Sequence, residues 1–416
     1  MFSWRVHFVA GLLLCGVAAC SNSASRPGAL PVITNQTRHA VDTATGLPGD
    51  TATGLPGDTA TGLPGDTATG LPGDTATGLP GAQFACSPAS APAQARCTMA
   101  INITIAPLSN PNALPTVIPG FQPRDLVSAY DFPTGGGGKT VAIVAAFDDP
   151  AAESDLAVYR STFGLPGCTS LGGCFRKVNQ AGVSGNYPVS NAGWTSEISL
   201  DLDMVSAVCP NCSVVLVEAN SANMDDLGAA VDTAAASGAI AVSNSYYAPE
   251  WSDELSEEGH YHHPGIAITA SSGDTPYPGY PAASKYIMAV GGTTLSRSGN
   301  AWNEQPWRYS GRGCSKYIAK PDWQHGWCRS TRQTVDVAAD ADPSTGVAVY
   351  DTVAGGWIVA GGTSVGAPLL AGAYALAGNG AAVSFSYAHA AAFHDILPIG
   401  YDLWSGLGSP YGVTGL

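Results

Sequence analysis

The strongest constraint on the fold is the alternation, from about residue 139 onward, of short apolar runs with amphipathic stretches. KTVAIVAAF at 139–147 is apolar on both faces, and the AAESDLAVYRSTFGL that closely follows it has helical spacing. The pattern recurs in SVVLVEA at 213–219, NMDDLGAAVDTAAASG, AIAVSNSYY at 239–247, a polar SDELSEEGHYHH and IAITASS from 266. KYIMAVGG and GWIVAGG add two more apolar runs, each ending in glycine. A strand that is apolar on both faces needs helices above and below it. The expectation is therefore an α/β domain, doubly wound around a mostly parallel sheet with helices on both faces. In such folds reacting groups collect where the C-terminal ends of strands run into loops.

The N-terminal part has no such alternation. Residues 1–19 carry one cation, Arg5, then an apolar stretch too short to span a bilayer, then small residues, which reads as an export signal. Val17-Ala18-Ala19-Cys20 resembles a bacterial lipobox, so Cys20 is expected to carry lipid, the chain's one link to a membrane. From Asp42 to Gly81 the octapeptide DTATGLPG occurs five times. One leucine, one proline and two glycines in every unit cannot bury enough surface to offset ordering entropy, so 20–82 reads as a flexible tether. A short segment at 83–120 and a domain over 121–416 remain.

Charge narrows the function. The chain has 17 Lys and Arg against 32 Asp and Glu, a net charge of -15, and only five lysines, which excludes the phosphate neutralisation that nucleic-acid binding requires. Only 12% of residues are charged, where about 25% is usual. With few cations, little positive self-repulsion builds up as carboxylates protonate, so the composition suits acid. The eight cysteines Cys86, Cys97, Cys168, Cys174, Cys209, Cys212, Cys314 and Cys328 form an even set in an exported chain, and their short gaps favour four sequential disulfides. Other connectivities stay open on sequence alone.

Three segments carry chemistry. In GWIVAGGTSVGAPLLAGAYALAG, Ser364 sits at a strand-to-helix junction, where a hydroxyl can be exposed and the serine's own N–H is available to an oxyanion. Read alone, the same serine is a helix cap. In AITASSGDTPYPGY, Asp274 follows a strand and a Ser-Ser-Gly turn, a common place for a mere turn former. In WTSEISLDLDMVSAVCP, Glu197 and Asp201 are four residues apart on one face of an apolar helix, where two buried carboxylates would share a proton. Asp203 lies off that face and reads as a solvated or capping charge. Residues 83–259 contain no histidine, so Glu197 stands where a Ser-His-Asp hydrolase of this strand order would place its base.

Together the Glu/Asp pair, SSGD and GGTSxxxP resemble the sedolisins, the serine-carboxyl peptidases that share the subtilisin fold. DLAVYRSTFGLP, YPAASKYIMAVGGT and GYDLWSGLGSP extend the resemblance over roughly 120–416. It implies a subtilisin-like fold and hydrolysis of proteins or peptides by a monomer. Ser364 would be the nucleophile, Glu197 the base, Asp201 the partner that orients Glu197 and shares its proton, and Asp274 the oxyanion-hole acid. The family's long folded propeptide has no counterpart of its usual length in 83–120. Its calcium loop would correspond to Asp395, Ile396, Gly400 and Asp402, with fewer residues between the two aspartates than the family pattern has. Two other readings compete with this one. The first is a Ser-His-Asp hydrolase using His260, His262 or His263 with Asp148 or Asp149, and the second is a non-catalytic surface binding protein on a peptidase fold.

Overall fold

The protein is described here by a computed structural model, over residues 79–135 and 137–416. The export signal at 1–19, the lipidation of Cys20 and the repeats as far as residue 78 lie outside the described residues. The stretch expected to precede the domain is woven into it. It contributes β1 (Ala82–Phe84), β2 (Arg96–Cys97) and β3 (Ala100–Asn102), and the described residues fall in one compact unit without a division near 120. Local hydrophobic pattern could not reveal this, because two- and three-residue strands carry too few side chains to show a period.

After α1 (Pro123–Ala129) come β4 (Thr140–Ala146), α2 (Ala152–Thr162), β5 (Phe175–Asn179), α3 (Ala192–Val208), β6 (Ser213–Ala219) and α4 (Met224–Ala236). AIAVSNSYY breaks at Ser245 into β7 (Ala241–Asn244) and β8 (Tyr246–Pro249). Next are a 3-10 helix (Glu254–Tyr261), β9 (Ala267–Ser271), β10 (Gly279–Tyr280), β11 (Met288–Ser298), β12 (Ala301–Pro306), β13 (Cys314–Ala319), β14 (Thr331–Gln333) and β15 (Val337–Asp340). β16 (Val347–Asp351), β17 (Gly356–Gly361) and α5 (Gly366–Ala377) complete the elements that position the site.

The central sheet has eight strands in the order β12–β11–β9–β7–β4–β6–β5, with β15 also on β11, and only the β11–β12 pairing is antiparallel. Residues 141–146 of β4 are buried throughout, as expected of a strand covered on both faces. The run GWIVAGG behaves differently. As β17 it joins an antiparallel sheet, β1–β3–β17–β16, that includes the N-terminal strands. A third small sheet, β10–β8–β2, holds the other N-terminal strand.

Helix α3 is capped by the Asn191 side chain, which accepts from the N–H groups of Gly193 (3.1 Å) and Trp194 (3.3 Å). Every residue from Trp194 to Val208 is buried, because α3 packs among α1, α2, α5, β4 and β16. The four disulfides join Cys86–Cys97, Cys168–Cys174, Cys209–Cys212 and Cys314–Cys328, the sequential pattern that the short gaps favour. Such bridges suit an oxidising compartment.

Candidate active site

Four elements converge on Ser364. The serine lies between β17 and α5, Glu197 and Asp201 project from α3, and Asp274 follows β9 through Ser272 and Gly273. All four side chains are buried, none more than 2% exposed. Burial is what gives them unusual acidity. Water is withdrawn from each carboxylate, and an isolated charge in such a place costs several kcal/mol, so the neutral form gains.

Glu197 is held well above the ordinary carboxyl range, chiefly by burial and then by the nearby charge of Asp201. The Ser364 hydroxyl and the Met99 N–H lie close enough to favour its ionised form, although neither carboxylate oxygen makes a hydrogen bond of ordinary geometry. Asp201 is raised too, by burial, while its Oδ1 accepts from the Ser245 hydroxyl at 2.6 Å. The two carboxyls on adjacent turns therefore hold a proton between them well above the pH at which free carboxylic acids lose it.

Asp274 is pushed up to about 7, again mainly by burial. Its Oδ1 accepts from both the N–H and the hydroxyl of Thr363, each at 2.8 Å. Oδ2 has no such donor, so the proton of the neutral acid belongs there. An ionisable base beside a serine, together with a neutral acid aimed at a developing oxyanion, can break an acyl bond.

The site is not empty of protein. Thr98, from the N-terminal segment, places its hydroxyl 2.8 Å from the Ser364 hydroxyl and 2.7 Å from that of Ser271. Its carbonyl oxygen accepts from the Ser364 N–H at 3.4 Å. A Cβ on Gly362 would stand 1.9 Å from that carbonyl oxygen and 2.6 Å from Asp274 Oδ2, so only glycine leaves room for the two to converge there.

No family model matches this chain. Kumamolisin from Bacillus sp. (strain MN-32) is 28% identical to it over 73% of the chain and 63% of kumamolisin's own length. Xanthomonalisin from Xanthomonas sp. (strain T-22) is 37% identical over 23% of the chain and 14% of its own length, and sedolisin from Pseudomonas sp. (strain 101) 34% over 23% and 18%. The chain is thus similar to serine-carboxyl peptidases of the sedolisin family. It spans less than two thirds of the length of each of these relatives. The solved Pseudomonas sedolisin, in complex with pseudo-iodotyrostatin, superposes with a TM-score of 0.62 at 23% identity, covering 71% of this chain and 96% of that one, which establishes the subtilisin-like fold.

The histidines considered for a Ser-His-Asp site belong elsewhere. His260 and His263 bind opposite oxygens of Asp232, at 2.7 and 3.1 Å, and His262 stacks on Tyr286. Asp148 pairs with Lys177, while Asp149 caps its own turn at Ala151. Asp203, expected to be a solvated or capping charge, is buried within α3 and accepts from the Tyr350 N–H at 3.0 Å. The correction has a simple cause: α3 has no solvent face, so a position off the Glu197/Asp201 face meets β16.

The residues of the expected calcium loop do not fit the ion. Asp402 is buried and spent on its own turn, with Oδ1 accepting from the N–H groups of Trp404 (2.6 Å) and Ser405 (2.9 Å) and Oδ2 from the Ser405 hydroxyl (2.5 Å). Asp395 is exposed and accepts from the Gly400 N–H at 2.9 Å. Among the described residues no group of three or more His, Cys, Asp or Glu side chains is placed to hold a metal, and calcium needs six to eight oxygens. Asp395 is thus exposed and Asp402 buried, with Ile396 and Gly400 between them in the chain.

Sequence reasoning missed Thr98, Ser245, Ser271 and Thr363. Thr363 stands inside the GGTS motif and Ser271 inside SSGD, so their places were visible though their bonds were not. Thr98 lies 266 residues from Ser364, and nothing local in the sequence links the two.

Proposed function

We propose that this chain is an exported serine-carboxyl endopeptidase that hydrolyses proteins or peptides in acid, acting as a monomer tethered through lipid on Cys20. The observation that carries the reading is the convergence on Ser364 of a proton-holding Glu197/Asp201 pair and a raised Asp274, with no histidine among them. Glu197 takes the serine proton as Ser364 attacks the carbonyl carbon and returns it to the leaving amine. Asp201 keeps its own proton and orients Glu197, and Ser245 fixes Asp201. The Ser364 N–H and neutral Asp274 receive the oxyanion.

The pH sign follows. Asp274 can donate only below its pKa of about 7, so turnover is lost as pH rises through neutrality. The acid limb belongs to the Glu197/Asp201 pair, which must surrender a proton before Glu197 can act as a base. Casein hydrolysis from pH 3 to 8 is the test. Wild type is expected to be active in acid and Ser364→Ala inactive; full activity in Ser364→Ala overturns the reading.

A further inference from the structure

Resting on the peptidase reading, we propose that the Tyr247 ring closes the pocket for the side chain just before the scissile bond, so that this chain cuts after small residues, Gly, Ala, Ser and Thr, and not after large ones. Thr98 marks where that residue of a substrate sits. Its N–H donates to the Ser245 carbonyl at 3.4 Å, and its own carbonyl oxygen accepts from the Ser364 N–H at 3.4 Å. Ahead of it, β2 adds antiparallel to β8, pairing Arg96 with Tyr247 and Cys97 with Tyr246. Backbone pairing of this kind holds an extended peptide whatever its side chains, so selection falls to the pockets that receive them.

A residue held in this way lies between two segments, the start of β8 at Ser245 and the stretch from Ser271 to Asp274. Its side chain enters the gap between them. Thr98 does so, its Oγ1 donating to the Ser271 hydroxyl at 2.7 Å, and Ser271 in turn reaches across to the Tyr246 carbonyl at 3.4 Å. The Tyr247 ring bridges the same two segments. A Cβ on Gly273 would lie 2.4 Å from Tyr247 Cδ2, and one on Gly279 would lie 2.0 Å from Tyr247 Cε2, so one edge of the ring rests on two bare backbones. Gly273 immediately precedes Asp274, which puts the ring beside the acid proposed for the oxyanion.

Two glycines facing the same space would leave an open slot for a long side chain, and Tyr247 is the residue that fills it. The ring is fixed in place. Tyr247 is 6% exposed, its hydroxyl donates to the Pro278 carbonyl at 3.4 Å, and β10, which carries Gly279, is itself paired to β8. Thr98 is only 1% exposed, so a side chain of threonine's size already occupies the space that remains. Leucine or phenylalanine at that position would have to drive the ring off Gly273 and Gly279, and close-packed walls of this kind discriminate steeply by size. Among small residues, the Ser271 hydroxyl gives serine and threonine a partner that alanine and glycine cannot use.

The test is to map by mass spectrometry the sites at which the full chain cuts casein in acid, and to measure kcat/KM on paired peptides that differ only in carrying Ala or Phe before the cut bond. The wild type is expected to cut mostly after Gly, Ala, Ser and Thr and to favour the Ala peptide. Tyr247→Gly is expected to raise the Phe-to-Ala ratio of kcat/KM by at least about tenfold. Tyr247→Phe keeps the ring and loses only its bond to Pro278, so its ratio should stay with the wild type. A wild type that cuts mainly after Phe, Tyr or Leu overturns this inference without any variant and leaves the peptidase reading standing. An unchanged ratio in a Tyr247→Gly protein that still cuts the Ala peptide overturns it as well, and so does a shift in Tyr247→Phe as large as that in Tyr247→Gly. Absence of any Ser364-dependent hydrolysis sinks the peptidase reading and this inference with it.

Discussion

Two of the buried carboxyl sites in this domain are treated in opposite ways. Around Ser364, Glu197, Asp201 and Asp274 are all held toward the neutral form chiefly by burial, and the charge of Arg96 only moderates the rise at Asp274. Near β14, Asp336 is equally buried, but Arg332 grips it with two nitrogens, at 2.8 and 2.5 Å, while the Tyr387 hydroxyl, the Ala289 N–H and the Gln324 amide also donate to it. The Arg332 pKa is raised by that same charge. The difference teaches that burial alone does not define a structural acid. A matched cation turns a buried carboxylate into a fixed ionic strut, whereas withholding one leaves a group able to trade protons.

The largest effect that would break this contrast belongs to Glu197→Gln. Peptide hydrolysis is expected to fall by about 10²–10⁴ in kcat, the range for losing a general base, while the midpoint of urea unfolding holds or rises. A fall in stability with activity retained would place Glu197 with the struts. Arg332→Met should do the reverse, costing about 3–5 kcal/mol in urea unfolding by leaving Asp336 buried and unpaired. Measured in a Ser364→Ala background to prevent self-digestion, most of that loss should return in the Arg332→Met, Asp336→Asn double variant.

A smaller effect is the pH dependence of folding. The folded-state pKa of Asp274, about 7, lies above the ordinary 3.8, so the stability it contributes is full below about pH 4 and lost as pH rises through 7. Thermal melts should therefore fall by the equivalent of a few kcal/mol between pH 4 and 8, and Asp274→Asn should flatten part of that slope. Asp149, raised to about 7, adds in the same direction. The smallest effect concerns the C-terminal loop. Asp402→Ala should cost about 1–3 kcal/mol by orphaning the donors of its turn, whereas a chelator should leave the melt unmoved. A chelator-induced drop would restore calcium to Asp395 and Asp402.

Much of the scaffold was legible because period and burial are local properties. The runs at 139–147, 213–219 and 266–271 became β4, β6 and β9, and the four-residue spacing on α3 put Glu197 and Asp201 together at Ser364. Cysteine gaps of 3 to 14 residues likewise made neighbours of the pairs that bond. Asp203 was misread because helical periodicity says which positions share a face, not how many faces are covered. GWIVAGG was read correctly as a strand but carried no sign of its sheet, since an apolar run reports burial without naming the partner.

The sequence by itself determined the α/β scaffold, favoured the bridging of neighbouring cysteines and supplied the residues here proposed for acyl chemistry, because each depends on spacing along the chain. Only the tertiary structure decided that residues 96–100 lie across that chemistry, with Thr98 O on the Ser364 N–H and Met99 facing Glu197. The physical reason is that an edge strand is bound through its backbone. Backbone hydrogen bonds are the same for every sequence, so a contact spanning 266 residues leaves no mark in either partner's side-chain pattern.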